Sequence, residues 1–148
     1  MAKEEKKEMR VGFVGFSGAK FDEEKAKELI VQAFNKLEED FEDAELVIVS
    51  GLTDMGIPAL VYREAATRGY NTVGVACKQA EDCEVYPVDE SIIYGKDWGD
   101  ESEVFLDMLD AFVRVGGGPQ SKKELKMAKE KDLPIYEYDL EEIKNEDN

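Results

Sequence analysis

Apolar and polar residues alternate along this chain in a repeating rhythm. Short apolar runs are separated by longer stretches in which apolar residues recur every three or four positions. Met9–Phe16 is a short apolar run ending in a glycine turn and predicts a buried strand. Phe21–Phe41 follows, with Ala26, Leu29, Ile30, Ala33, Phe34 and Leu37 on one face, and predicts an amphipathic helix. Its opening acids, Asp22, Glu23 and Glu24, suit a helix N-terminus. Glu45–Ser50 and Asn71–Ala76 predict two more buried strands. Between them a helix over Ile57–Arg68 stops at Gly69. A short strand at Ser91–Tyr94 and a helix near Glu101–Leu109 come next. A strand at Ala111–Val115, a helix from about Gln120 to Lys131 and a last strand at Leu133–Tyr138 complete the series. The tail from Asp139 predicts one further helical turn. Residues 1–8 and 141–148 are expected to fray.

Strands separated by helices of this length are βαβ units. The chain is therefore expected to be a three-layer, Rossmann-like α/β fold. Its sheet would be mainly parallel, with five to seven strands and helices on both faces. At 148 residues, with no linker or internal repeat, one domain spanning 1–148 is expected. Ligands in such folds bind beyond the carboxyl ends of the strands, where the strand order reverses. The turns at those ends are thus the first place to look for chemistry.

Composition narrows the choice. With 35 acidic and 19 basic side chains the formal net charge is −16, which argues against direct contact with duplex nucleic acid or an anionic membrane. No apolar stretch approaches the roughly 18 residues of a membrane span, and the charged start, Met1–Glu8, does not read as a secretory signal. The absence of histidine excludes His-based catalytic pairs and His metal sites. Cys77 and Cys83 form no CxxC and read as a strand-end and a loop residue of a cytoplasmic protein. Residues 79–110 carry eleven acids and one lysine. Asp97, Asp100 and Glu101 there could hold a divalent cation, but no EF-hand spacing is present, so a solvated loop is expected and no metal site is assigned. Trp98 either stacks on a base or fills the core.

Three strands end in glycine-containing turns that lead into helices. They supply Gly15, Ser17, Gly18 and Lys20; then Gly51, Thr53, Asp54 and Gly56; then Gly116, Gly117, Gly118, Gln120, Ser121 and Lys122. Glycine permits close approach of backbone to a ligand, and a helix start presents free N–H groups to an anion. The turns fit neither GxGxxG nor the P-loop pattern. They can equally be tight connections. Lys20 could reach a phosphate. Asp54 is as readily a helix cap as a ligand contact, and Arg114, mid-strand, pairs with an acid or marks an edge. Between Ser121 and Asp132 five lysines face three acids, a locally positive zone in which a bound anion would favour Lys122 and Lys123. Ser121 and Glu124 have the S-x-x-E spacing of a capping box, while Glu124 could also bind a ribose hydroxyl or act in catalysis.

Asp110–Leu125, with Gly117, Gly118, Ser121 and Glu124, resembles the GGxGTxxE motif of the SLOG superfamily, and Ser50-Gly51, Gly56, Ala65-Ala66, Gly69 and Pro134 add to the likeness. That group includes the Rossmann-like domain of DNA-processing protein A, the lonely-guy phosphoribohydrolases and the molybdenum-cofactor carrier proteins. The resemblance covers about residues 9–140. It implies a nucleotide or nucleotide-derived ligand with its phosphate on residues 116–121, and no required cofactor. Two departures stand out. Gln120 replaces the motif's third glycine. The segment Trp98–Glu103 lacks the arginine that the lonely-guy enzymes pair with the motif glutamate. A binding protein is therefore the leading expectation. An N-glycosidic phosphoribohydrolase using Glu124 comes second, and a non-catalytic scaffold with a degenerate site, built as a homo-oligomer, third.

Overall fold

The structure, a computed structural model, describes residues 7–17, 19–97 and 99–143. Its elements run in chain order as β1 (Lys7–Gly15), α1 (Glu23–Asp40), β2 (Ala44–Ser50), α2 (Gly56–Arg68), β3 (Asn71–Ala76), β4 (Glu90–Ile93), α3 (Ser102–Asp107), β5 (Ala111–Val115), α4 (Pro119–Glu130) and β6 (Ile135–Tyr138). A short 3-10 turn, Lys78–Asp82, lies between β3 and β4. The six strands form one parallel sheet in the order β4-β3-β2-β1-β5-β6. This is the three-layer Rossmann-like architecture that the pattern of apolar runs predicts.

Alternate strand positions feed two cores, one on each face. Val11 and Phe13 of β1, Leu46 and Ile48 of β2, and Val113 and Val115 of β5 pack against α1 and α2. Val14, Val47, Val49, Val73, Val75 and Phe112 point the other way, toward α3 and α4. Helix α1 begins where the Asp22 carboxylate accepts the Lys25 N–H at 3.1 Å. It buries Ala26, Ile30, Ala33, Phe34 and Leu37, and each large side chain in that stripe contributes about 1.5–3 kcal/mol relative to exposure. Phe34 stacks on Phe13 of the sheet with ring centroids 5.1 Å apart. Helix α2 is more deeply enclosed, burying Ile57 through Tyr62 and Ala65, and it ends at Gly69 with φ 78°, whose N–H reaches the Ala65 and Ala66 carbonyls. On the other face α3 is a short helix. It lies close over β1 because residue 12 is glycine: a Cβ there would overlap Leu109 and Phe105.

Two boundaries move for physical reasons. Strand β1 starts at Lys7 because Lys7 and Glu8 pair with Ala44 and Glu45 through backbone bonds that need no apolar side chain. Residues 139–143 form no helical turn. Leu140 instead folds into the core beside Phe16, and the Ile143 N–H donates to the Lys20 carbonyl at 2.7 Å. Among the described residues no helix is long and apolar enough to cross a membrane.

Candidate functional site

Strands β1 and β5 are neighbours, yet the chain leaves them in opposite directions, β1 through α1 toward β2 and β5 through α4 toward β6. Their exits diverge and open a crevice at the carboxyl edge of the sheet. A cleft of about 360 Å³ lies there. Its floor is strand-end backbone from β1, β2 and β3, its walls are the starts of α2 and α4, and Glu101 and Phe105 close it from the α3 side.

The three strand-end turns are tied together. The Ser121 hydroxyl, in the first turn of α4, donates to the Gly15 carbonyl at 3.3 Å. The buried Ser50 hydroxyl donates to the Phe13 carbonyl at 2.7 Å, linking β2 to β1. The Tyr62 hydroxyl sits 2.8 Å from the Gly51 carbonyl and 2.9 Å from the Val73 carbonyl, and burial pushes its pKa far up. Gly117 has φ 111° and presses so closely on Ser121 that a Cβ would overlap it, so this turn requires glycine. Arg114, left open by its sequence position, pins the same turn. Its guanidinium donates to the Gly116 carbonyl at 3.0 Å and pairs with Asp139 at 2.8 Å and Glu137 at 3.3 Å.

Helix α4 starts at Pro119 with Gly118 as its N-cap, and no side chain caps it. Proline's fixed φ starts the helix one residue earlier than the apolar pattern suggests. Ser121 is therefore the third helical residue, and the expected Ser121–Glu124 capping box does not form. Gln120 and Ser121 hold backbone N–H groups of the kind that a helix start leaves unpaired. Helix α2 likewise has an N-cap, Met55, that makes no side-chain cap bond. Its Ile57 N–H, however, donates to the Phe16 carbonyl at 2.7 Å and residue 58 is proline, so the start of α4 is the one that presents free N–H groups to the cleft.

Glu124 lies on the cleft wall, 6% exposed, with Oε2 accepting the Ser102 hydroxyl at 3.0 Å. Burial raises its pKa to about 7. The negative charge of Glu101 adds to the rise, while bonds from Ser102 and Gln120 and the charge of Lys123 oppose it. A carboxyl poised near neutrality can hold or release a proton under ordinary conditions. Glu101 is 5% exposed, and its Oε1 accepts the Gly99 N–H at 2.8 Å. Glu142 also borders the cleft, and no lysine or arginine does so among the described residues.

Of the residues singled out in the sequence, Gly15, Ser17, Gly51, Thr53, Gly118, Gln120, Ser121 and Glu124 meet at this cleft. The others do not. Gly116 lies beneath it, its N–H bonded to the Tyr138 carbonyl at 2.8 Å, and Gly117 supports the turn from behind. Lys122 is exposed, and its N–H is bonded to the Gly118 carbonyl. Asp54 is no helix cap; its carboxylate lies 3.9 Å from Arg63. Lys20 and Gly56 border a second cavity of about 300 Å³ together with Phe21, Glu23 and Ile143. Gly18 and Trp98 lie outside the described residues. The acids once considered for a cation are engaged locally: Asp100 accepts the Lys96 and Asp97 N–H groups at 3.1 Å each. Among the described residues no three His, Cys, Asp or Glu side chains gather as a metal site. Ser102 and Phe105 had no distinguishing sequence signal as parts of a site, while Ser50 figured only in the family likeness and Glu101 only as a possible cation ligand.

No protein-family model and no curated protein sequence matches the chain. Solved structures do. The X-ray structure of TM1055, a structural-genomics target, is 21% identical with a TM-score of 0.68, over 86% of this chain and 72% of that one. The Moco carrier protein from Chlamydomonas reinhardtii is 18% identical with a TM-score of 0.71, over 89% and 76%. The molybdenum cofactor binding protein from the phototrophic bacterium Rippkaea orientalis is 16% identical with a TM-score of 0.67, over 91% and 77%. The chain therefore has the Rossmann-like fold of TM1055 and the molybdenum cofactor carrier proteins, the fold that its SLOG-like motif implies.

Proposed function

We propose that this protein binds a nucleotide or nucleotide-derived small molecule in the cleft between the ends of β1, β2 and β3 and the start of α4. Its anionic group rests on the first turn of α4. The observation that carries this reading is the uncapped start of α4 facing a cleft beside the point where the strand order reverses. The cleft volume suits a small ligand. Because Gly116 and Gly117 lie beneath the cleft and Lys122 outside it, the anion meets Gly118–Ser121 and relies on backbone N–H groups and the Ser121 hydroxyl. Two structural neighbours are named for a cofactor that they carry or bind, which supports a protein that holds cargo.

The test is a thermal-shift panel of AMP, GMP, ADP-ribose, NAD and inorganic phosphate on the wild type and on Gly118→Asp. A ligand at about a hundred times its dissociation constant adds about 2.7 kcal/mol. At roughly 2–4 °C per kcal/mol that is about 5–10 °C. Residue 118 has φ −97° and open space around a Cβ, so aspartate fits and can cap α4 with its own carboxylate. The variant should melt no lower than the wild type and lose the ligand shift. A panel that leaves the wild-type melting temperature unmoved would refute the reading.

One observation favours a second reading, cleavage of the N-glycosidic bond of a nucleoside monophosphate by water: Glu124 is buried in the cleft with its pKa near 7. Free base released from AMP or GMP by the wild type, and not by Glu124→Gln, would support it. Binding without release leaves the protein a carrier.

A further inference from the structure

The cleft assigned to a nucleotide is walled by hydrogen-bond acceptors. Glu101 and Glu124 are each more than nine-tenths buried, and both border the open space. Among the described residues neither forms a salt bridge. Glu101 uses Oε1 for the Gly99 N–H. Glu124 has neutral donors only, the Ser102 hydroxyl and Gln120. Buried carboxylates without a salt bridge are costly, and the cost falls when a ligand brings donors.

The surroundings narrow the kind of donor. Val14 and Phe105, which pack together on the α3 face of the sheet, border the same space, so the carboxylates stand beside apolar surface. Such a surface accepts a flat ring more readily than a hydrated cation, which keeps several waters. The separation also fits. Gly118 and Glu124 are six residues apart on α4, about 9 Å along the axis, and the glutamate side chain leans back toward the helix start. One mononucleotide can span from an anion on the first turn to a ring edge at the carboxylates. Above about pH 7 the Glu124 carboxylate only accepts hydrogen bonds. Guanine offers a ring N–H beside an exocyclic amine, two adjacent donors. Adenine offers an amine beside a ring nitrogen whose lone pair would face a carboxylate oxygen.

We propose that Glu101 and Glu124 form a base-reading pair that selects guanine-type over adenine-type nucleotides. This rests on the nucleotide reading of the cleft. Calorimetric titration of GMP, IMP and AMP at pH 8 in EDTA, above the Glu124 pKa, tests it. IMP keeps the ring N–H and lacks the amine, so it should bind about tenfold more weakly than GMP, the worth of one charge-assisted hydrogen bond. AMP should bind more weakly again. In Glu101→Gln and Glu124→Gln, whose amides also donate, the GMP-to-AMP affinity ratio should fall toward one. Melting curves would establish that both variants are folded. Equal wild-type affinity for GMP and AMP would overturn the base-reading pair and leave the nucleotide reading standing. A GMP preference that both glutamine variants retain, or one that appears only when Mg²⁺ replaces EDTA, would also overturn it. No binding of any of the three would overturn both.

Discussion

Replacing Glu124 by glutamine should change the pH dependence of stability in a direction that burial dictates. In the unfolded chain this carboxyl titrates near its ordinary value of 4.5, and in the fold near 7. Between those values the unfolded chain sheds the proton and the folded chain keeps it, so the unfolded state gains on every step upward in pH. The stability that Glu124 contributes is therefore full below about pH 4.5, falls as pH rises to about 7 and is constant beyond. At about 1.4 kcal/mol per pH unit, the loss between pH 5 and pH 8 is about 2–3 kcal/mol. Glutamine is neutral throughout, matches the shape and still accepts the Ser102 hydroxyl. Relative to wild type, Glu124→Gln should thus gain about 2–3 kcal/mol between pH 5 and pH 8. Urea unfolding of both proteins at the two pH values, followed by circular dichroism, measures that gain. The comparison cancels the titrating groups that do not interact with Glu124. A gap between variant and wild type that is the same at both pH values would refute the reasoning, because it would mean that the buried carboxyl ionises as freely as an exposed one.

Other perturbations have outcomes as definite. Gly12→Val should destabilise by about 1–3 kcal/mol in denaturant titration, since its side chain must displace Leu109 and Phe105; an unchanged midpoint would show that α3 is not pressed against β1. Tyr62→Phe should cost about 1–3 kcal/mol by leaving the Gly51 and Val73 carbonyls without their hydroxyl; a neutral result would mean that water replaces it. A thiol reagent should modify one cysteine per native chain, the half-buried Cys83, and reach the buried Cys77 only in urea; two fast thiols would contradict the packing of the β3 end.

The fold was legible because each strand carries a compact apolar run and each long helix a three-and-four stripe. The start of β1 was not, since Lys7 and Glu8 join the sheet by backbone alone. Half of the site was legible for a similar reason: glycine marks strand-end turns, and the turns converge wherever parallel strands end together. The reading failed where function depends on which way a turn faces. Gly116 and Gly117 shape the loop from beneath, and Lys20 and Asp54 look elsewhere, which residue identity does not encode. Glu101 was hidden differently. It is one of eleven acids between residues 79 and 110, and what separates it from the rest is that α3 carries it over the sheet against Glu124.

The central place of β1 has a consequence for the order in which the chain can assemble. Its pairing with β2 joins residues about forty positions apart, whereas its pairing with β5 joins Val11 to Ala111, a hundred positions apart. Contacts of such long range close late and slow the overall rate. During synthesis β1, β2 and β3 can associate while β5 is still unmade. The cleft has no existence at that stage, for one of its walls begins at Gly118. Any ligand that needs both walls therefore recognises only the finished chain, and its occupancy would report complete folding rather than partial structure.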